Sequence, residues 1–199
     1  MTGAGVDPTQ HIWWLMSRAS GIVALGLIAA SVILGLTMAN KLKRGPRMAG
    51  LHEQLSLAGL VAIAIHGVTL LGDPWLHPGL SGITVPFQMG YRTVFTGLGV
   101  VGGYLAAALG LSYYIRRRIG SKLWRKVHRF TPVAYVLSLV HAFGAGTDAT
   151  TPWLRTFMVA TMVPIGGLLV LRIAKSLVKD RRPVPRGLRA EEGPASISP

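Results

Sequence analysis

Cysteine is absent from the 199 residues, which excludes disulfides, iron–sulfur clusters and thiolate haem ligation together. Histidine, present six times, is the only strong soft-metal ligand left. Charge is also scarce, at 14% of residues against roughly 25% in an ordinary soluble domain. That shortage argues against a soluble globular fold. Long polar segments are missing too, since the sequence between apolar runs is cut into pieces far below the roughly 100 residues of an independent flavin or nucleotide domain. Any such domain is expected on another polypeptide.

What is abundant is apolar sequence, 50% of the chain, in recurring runs of about 20 residues that match a hydrocarbon core of roughly 30 Å. Five membrane spans are expected: Ile12–Ala39, Leu51–Gly72, Thr93–Ile115, His128–Gly146 and Trp153–Ala174. They read as helices, because backbone groups in lipid need internal partners and the alternation of a barrel strand is nowhere seen. The fold class is therefore an all-α integral membrane five-helix bundle. Residues 1–10 form a short outer tail, 11–179 the helical domain, and 180–199 a tail rich in Pro, Arg, Glu and Ser that is expected to be disordered. The first ten residues lack the basic start of a secretory signal, so no cleavage is expected.

The formal charge of +14 could suggest nucleic acid, but its placement decides otherwise. Lys41, Lys43, Arg44 and Arg47 lie in the first loop, Arg116 to Arg129 in and after the third, and Arg172 onward in the tail. The opposite boundary holds little more than Arg92 and Arg155, with Asp7, Asp73 and Asp148. Positive charge on the inner side puts the N-terminus outside and the C-terminus in the cytoplasm of a cell inner or plasma membrane. The basic excess is a topology signal that also suits anionic lipid, with no nucleic acid partner. Trp13, Trp14, Trp75, Trp153 and Tyr91 mark the outer interface, and Tyr113, Tyr114 and Trp124 the inner one.

His52 and His66 are fourteen residues apart in the second span, nearly four turns, so they share a face about 21 Å apart along the axis. His128 and His141 stand thirteen apart in the fourth, about 20 Å. Because both spans run outward, His52 and His128 share an inner level and His66 and His141 an outer one. Two facing imidazoles are the ligand set of a low-spin haem, and two levels stack two haems. Thirteen residues turn an ideal helix through about 220° beyond three full turns, so His128 and His141 do not share a face unless Pro132 kinks or rewinds the first turns. Each histidine alone would read as a hydrogen-bonded core or interfacial residue; four matched in depth point to function.

Arg18 lies inside the first span with no carboxylate in any span at its depth, and a haem propionate is the anion proposed for it; snorkelling to the interface is the alternative. Arg92 and Arg129 are weaker propionate candidates, and His11 and His77 are left out as solvated or interfacial. Gly59, seven residues from both His52 and His66, is a candidate for close approach of haem edges, and Tyr135 fills either the gap between haems or the core. Gly97-Leu98-Gly99-Val100-Val101-Gly102 matches a dinucleotide-binding pattern without its strand or acidic residue, so helix packing is the expected use of Gly99 and Gly103.

Trp14-x-x-x-Arg18 followed by Ala-Ser-Gly, His52-x13-His66, Trp124-x-x-x-His128 and His128-x12-His141 together resemble the ferric reductase-like transmembrane domain family. That family includes the membrane parts of NADPH oxidases and metalloreductases and the haem subunit of the methionine sulfoxide reductase system. The resemblance implies that His52, His66, His128 and His141 are axial ligands of two b-type haems. Relatives with a fused dehydrogenase commonly have six spans, whereas five are read here with no dehydrogenase. The expected function is a membrane cytochrome b, moving electrons from a separate cytoplasmic donor (a flavoprotein, quinol or other redox carrier) to an outer acceptor or reductase. Left open are the haem subunit of a dedicated periplasmic or extracellular reductase system and, from another class, a haem-free proton or transition-metal transporter.

Overall fold

The structure, a computed structural model, describes residues 9–180, and among them it is helical with no strand. The helices are α1 (Thr9–Ala39), α2 (Pro46–Leu70), α3 (Gly79–Thr84), α4 (Thr93–Leu111), α5 (Arg116–Ile119), α6 (Ser121–His128), α7 (Thr131–Ala145) and α8 (Pro152–Asp180). Among the described residues, α1, α2, α4 and α8 are long and apolar enough to cross a membrane. The chain is a multi-pass membrane protein. The tail expected to be disordered falls outside the described residues apart from its first position, as does most of the N-terminal segment.

The expected fourth span, His128–Gly146, is not one helix. α6 ends at His128, Arg129 and Phe130 make a turn, and α7 starts at Thr131. The Thr131 hydroxyl donates to the His128 carbonyl at 2.6 Å across that turn. Pro132 stands in the first turn of α7, where a missing N–H costs no helical bond. It therefore begins a new helix rather than kinking an existing one. The 15 residues of α7 extend about 22 Å, so length alone carries four crossings and not the expected five. The break also removes the angular difficulty, since His128 and His141 belong to different helices.

Helix α1 is the hub. Its Leu25, Ile28, Ala29, Val32 and Leu36 pack with Tyr135 and Leu139 of α7 and with Leu154, Met158 and Ile165 of α8. α2 lies antiparallel along another side of α1, and α4 pairs with α7. On the outer side of α8, Val159, Met162, Val163, Val170 and Ile173 are exposed, the surface a helix presents to acyl chains. Asn40 joins the end of α1 to α8, its amide donating to the Leu36 and Leu168 carbonyls while Lys175 donates to its own carbonyl.

α1 closes onto α7 through the core, but α2 meets α4 sparsely and α7 more sparsely still. The gap between α2 and the side formed by α4, α6 and α7 is where the histidines face one another.

Candidate functional site

Two histidine pairs span this gap. The rings of His52 and His128 have centres 6.1 Å apart with planes at 82°, and those of His66 and His141 are also 6.1 Å apart, at 73°. The pairing by depth expected from spacing is therefore present in the geometry. Two metal–imidazole bonds of about 2 Å to one ion, plus about 1.2 Å from each nitrogen to its ring centre, would require a separation of about 6.4 Å.

Three of the four rings are held in one way. His66 Nδ1 donates to the Ser17 carbonyl at 2.8 Å, His52 Nδ1 to that of Ser31 at 2.9 Å, and His141 Nδ1 to that of Phe95 at 2.9 Å. A carbonyl only accepts, so Nδ1 carries the proton and Nε2 is left with the lone pair a metal needs. Four residues after each accepting carbonyl stands a glycine: Gly21, Gly35 and Gly99. Helical side chains lean toward the N-terminus, so a Cβ at that place covers the carbonyl one turn back, and glycine leaves it open to an outside donor. A methyl group at Gly21 would meet His66 Nδ1 at 3.0 Å, one at Gly35 His52 Cε1 at 3.1 Å, and one at Gly99 His141 Nδ1 at 2.5 Å.

These docks were legible in the sequence but not anticipated. Ser17-x3-Gly21 recurs fourteen residues on as Ser31-x3-Gly35, the interval that separates His52 and His66. Since α1 and α2 are antiparallel, equal intervals bring each Ser-x3-Gly opposite one histidine. The serine hydroxyls add to the hold: Ser17 Oγ lies 3.1 Å from His66 Nδ1, and Ser31 Oγ lies 3.0 Å from His52 Nδ1 and 2.6 Å from Ser56 Oγ.

His128 breaks the pattern. Its Nδ1 is buried and meets a backbone carbonyl in a looser contact than the other three rings. The carbonyl that faces it is that of Leu109, fourteen residues after Phe95, which also accepts from the Ser112 hydroxyl at 2.7 Å. Four residues after Leu109 comes Tyr113 rather than a glycine, just beyond the end of α4. What steadies the His128 ring is Trp124, stacked on it at 4.9 Å and 24°. Trp124 continues to Tyr113 at 6.0 Å, over which the Arg116 guanidinium lies at 3.7 Å. Tyr114 beside it donates to Glu53 at 2.8 Å, which holds its phenol pKa above the ordinary value.

Arg18 has a carboxylate partner after all. Asp148, from the turn between α7 and α8, forms an ion pair with it, and the Trp14 ring lies 4.9 Å from its guanidinium carbon. No span carries a carboxylate at this depth; a turn delivers it. Arg18 follows Ser17, so this ion pair borders the His66 dock. Arg92 donates to the Gly144 carbonyl, joining the start of α4 to the end of α7, while Arg129 is exposed. Gly59 does share the histidine face, but a Cβ there would meet Ile28 at 2.8 Å; what it admits is α1. Tyr135, 1% exposed, bonds Thr161 of α8 at 2.8 Å and belongs to the core. Gly97, Gly99 and Gly102 lie in mid-helix, with no phosphate loop.

Among the described residues no three His, Asp or Glu side chains gather as a bare metal site would require. Paired imidazoles suit an iron whose other four ligands come from a planar macrocycle, and the sparse contact between the helix pairs suits such an insert. A family model described as ferric reductase like transmembrane component matches residues 20–139, a stretch that includes His52, His66 and His128 and stops just before His141. No curated protein and no solved structure matches the chain.

Proposed function

Because the chain belongs to the ferric reductase-like transmembrane component family, we propose that it is a membrane cytochrome that passes single electrons through two haems b stacked across the bilayer. His52 and His128 hold the inner haem, His66 and His141 the outer one. The observation that carries this reading is the repeated ring separation of 6.1 Å in two pairs, with Nδ1 of three rings engaged so that Nε2 is free to bind iron. The haems supply the one-electron chemistry; the protein fixes ring direction, spacing and charge. With two histidines per iron, transfer at the edge of the macrocycle is favoured over reaction at the metal.

Five crossings with the N-terminus outside are part of the same reading. α7 runs from beside the His128 level to the His141 level, and a short helix of this kind crosses where its neighbours and a haem shield its ends. The donor is a separate cytoplasmic redox carrier, a flavoprotein or quinol, that meets the basic face from Lys41 to Arg47 and Arg116 to Arg129. The acceptor is outside, and any impermeant oxidant replaces it in the assay. Arg18, already paired with Asp148, sits at the rim of the outer level and is the propionate partner proposed there.

The test uses proteoliposomes sorted for orientation. A reductant confined to the cytoplasmic side should reduce an impermeant acceptor on the other side, and His66→Ala should stop the transfer while the inner haem stays reducible. Transfer at the wild-type rate without the outer haem would refute the route.

A further inference from the structure

The hydroxyls behind the two α2 histidines have an order that their protons dictate. At His52 the proton on Nδ1 goes to the Ser31 carbonyl at 2.9 Å, and the Ser31 hydroxyl oxygen lies 3.0 Å from the same nitrogen. A protonated Nδ1 has no lone pair to offer, so that hydroxyl accepts and its own proton points elsewhere. Ser56 Oγ, 2.6 Å away, is the partner. Ser56 donates in turn to the His52 carbonyl at 2.7 Å, which leaves its oxygen free to accept from Ser31. Every proton from ring to Ser31 to Ser56 to backbone is thereby assigned.

The outer level lacks the middle link. Four residues after His52 stands Ser56, but four residues after His66 stands Leu70. Ser17 Oγ, 3.1 Å from His66 Nδ1, donates straight to the His66 carbonyl at 3.2 Å, which Thr69 also bonds at 3.1 Å. The Ser17 carbonyl is shared as well, with the Ser20 hydroxyl at 3.0 Å. The His141 mount is Phe95, a residue with no hydroxyl. A hydroxyl that donates a short hydrogen bond becomes a better acceptor, because each bond polarises the next. Ser31 is thus a stronger second acceptor than Ser17, although both are 3% exposed.

We propose that Ser31 and Ser56 form a hydroxyl relay that sets the potential of the inner haem. By drawing on the Nδ1 proton it makes His52 an electron-rich ligand, which favours ferric iron, the more positive state, over ferrous. Ser17 does the same more weakly for the outer haem. The relay counters the dense basic surface of the inner face, which favours the reduced state, and so keeps the inner haem able to pass its electron outward. This rests on the two-haem reading above. The serines are positioning residues, acting on iron only through the imidazole, and no proton leaves the relay when the iron changes state.

The experiment is a potentiometric titration of the purified full chain, with haem content measured on every variant. Ser31→Ala should raise one of the two midpoint potentials by about 30 mV, which is about a threefold change in the ferric-to-ferrous preference, with the other midpoint in place and both haems bound. Ser17→Ala should raise the other midpoint by less. Ser56→Ala should move the same midpoint as Ser31→Ala by a smaller amount, and the double variant should match Ser31→Ala alone, because Ser56 acts only through Ser31. Ser56→Thr, which keeps the hydroxyl, should restore the wild-type midpoint. Two bound haems whose midpoints ignore Ser31→Ala and Ser56→Ala, or additive shifts in the double variant, would overturn the relay and leave the two-haem reading standing. Where Ser31→Ala loses haem, an unchanged midpoint in Ser56→Ala overturns the relay by itself. A wild-type chain that extracts no haem at all would overturn both.

Discussion

The outer and inner histidine pairs have the same ring separation and differ in what stands behind the rings. At the outer level both histidines are anchored by backbone carbonyls of neighbouring helices, Ser17 and Phe95. At the inner level His52 is anchored in the same way, while His128 is stacked on Trp124 and meets the Leu109 carbonyl more loosely. The lesson is that ligand spacing and ligand stiffness are set by different parts of the chain. Spacing follows from helical rise and antiparallel pairing. Stiffness follows from whether a glycine uncovers a carbonyl one turn earlier on the neighbouring helix.

The largest expected effects separate the two levels outright. His66→Ala or His141→Ala should remove mainly the outer haem, and His52→Ala or His128→Ala mainly the inner one, read by haem extraction and by the reduced absorption bands of each variant. If any one of these four substitutions removed both haems equally, the levels would not be independent. Next come the mounts. Gly99→Ala places a methyl 2.5 Å from His141 Nδ1, closer than at Gly21 or Gly35, and should lower outer-haem affinity by about 10-fold or more. Gly35→Ala should act more mildly, and on the inner haem; titrating apo-protein with haem ranks them.

A smaller effect is expected from charge. Arg18→Ala leaves Asp148 as an unpaired anion near the outer level, which favours the more positive oxidised centre and should lower the outer potential by some tens of millivolts. Asp148→Asn should raise it, and the double variant should return close to wild type; potentiometric titration decides. An Arg18→Ala potential equal to wild type would place the ion pair out of reach of the outer haem. The smallest effect concerns Tyr135. Tyr135→Phe removes its bond to Thr161 and should cost about 1 kcal/mol of stability with haem content unchanged, since that hydroxyl faces α8 and not the gap.

Much of the site was legible because histidine is costly inside a membrane and helical rise converts sequence interval into depth. The four ligand candidates and their pairing followed from that alone. The boundary between α6 and α7 did not, because an apolar run with a histidine at each end reads as one helix unless the turn at Arg129–Phe130 is recognised. Pro132 was the available signal, and its place in a first turn rather than mid-helix is the physical distinction. Arg18 and Asp148 are 130 positions apart in sequence, and only the packing of α7 and α8 on α1 brings them together. The Ser-x3-Gly repeat was visible in α1, yet its meaning required knowing which helix lay opposite.

Haem stoichiometry and ligand geometry test the central claim most directly, read together on the purified, oxidised wild-type chain by quantitative extraction and electron paramagnetic resonance. The account predicts two haems b per chain, both low-spin, with the strongly anisotropic signals of near-perpendicular imidazole planes, as the 82° and 73° ring angles require. One haem per chain, or a high-spin signal from either level at full occupancy, would contradict it.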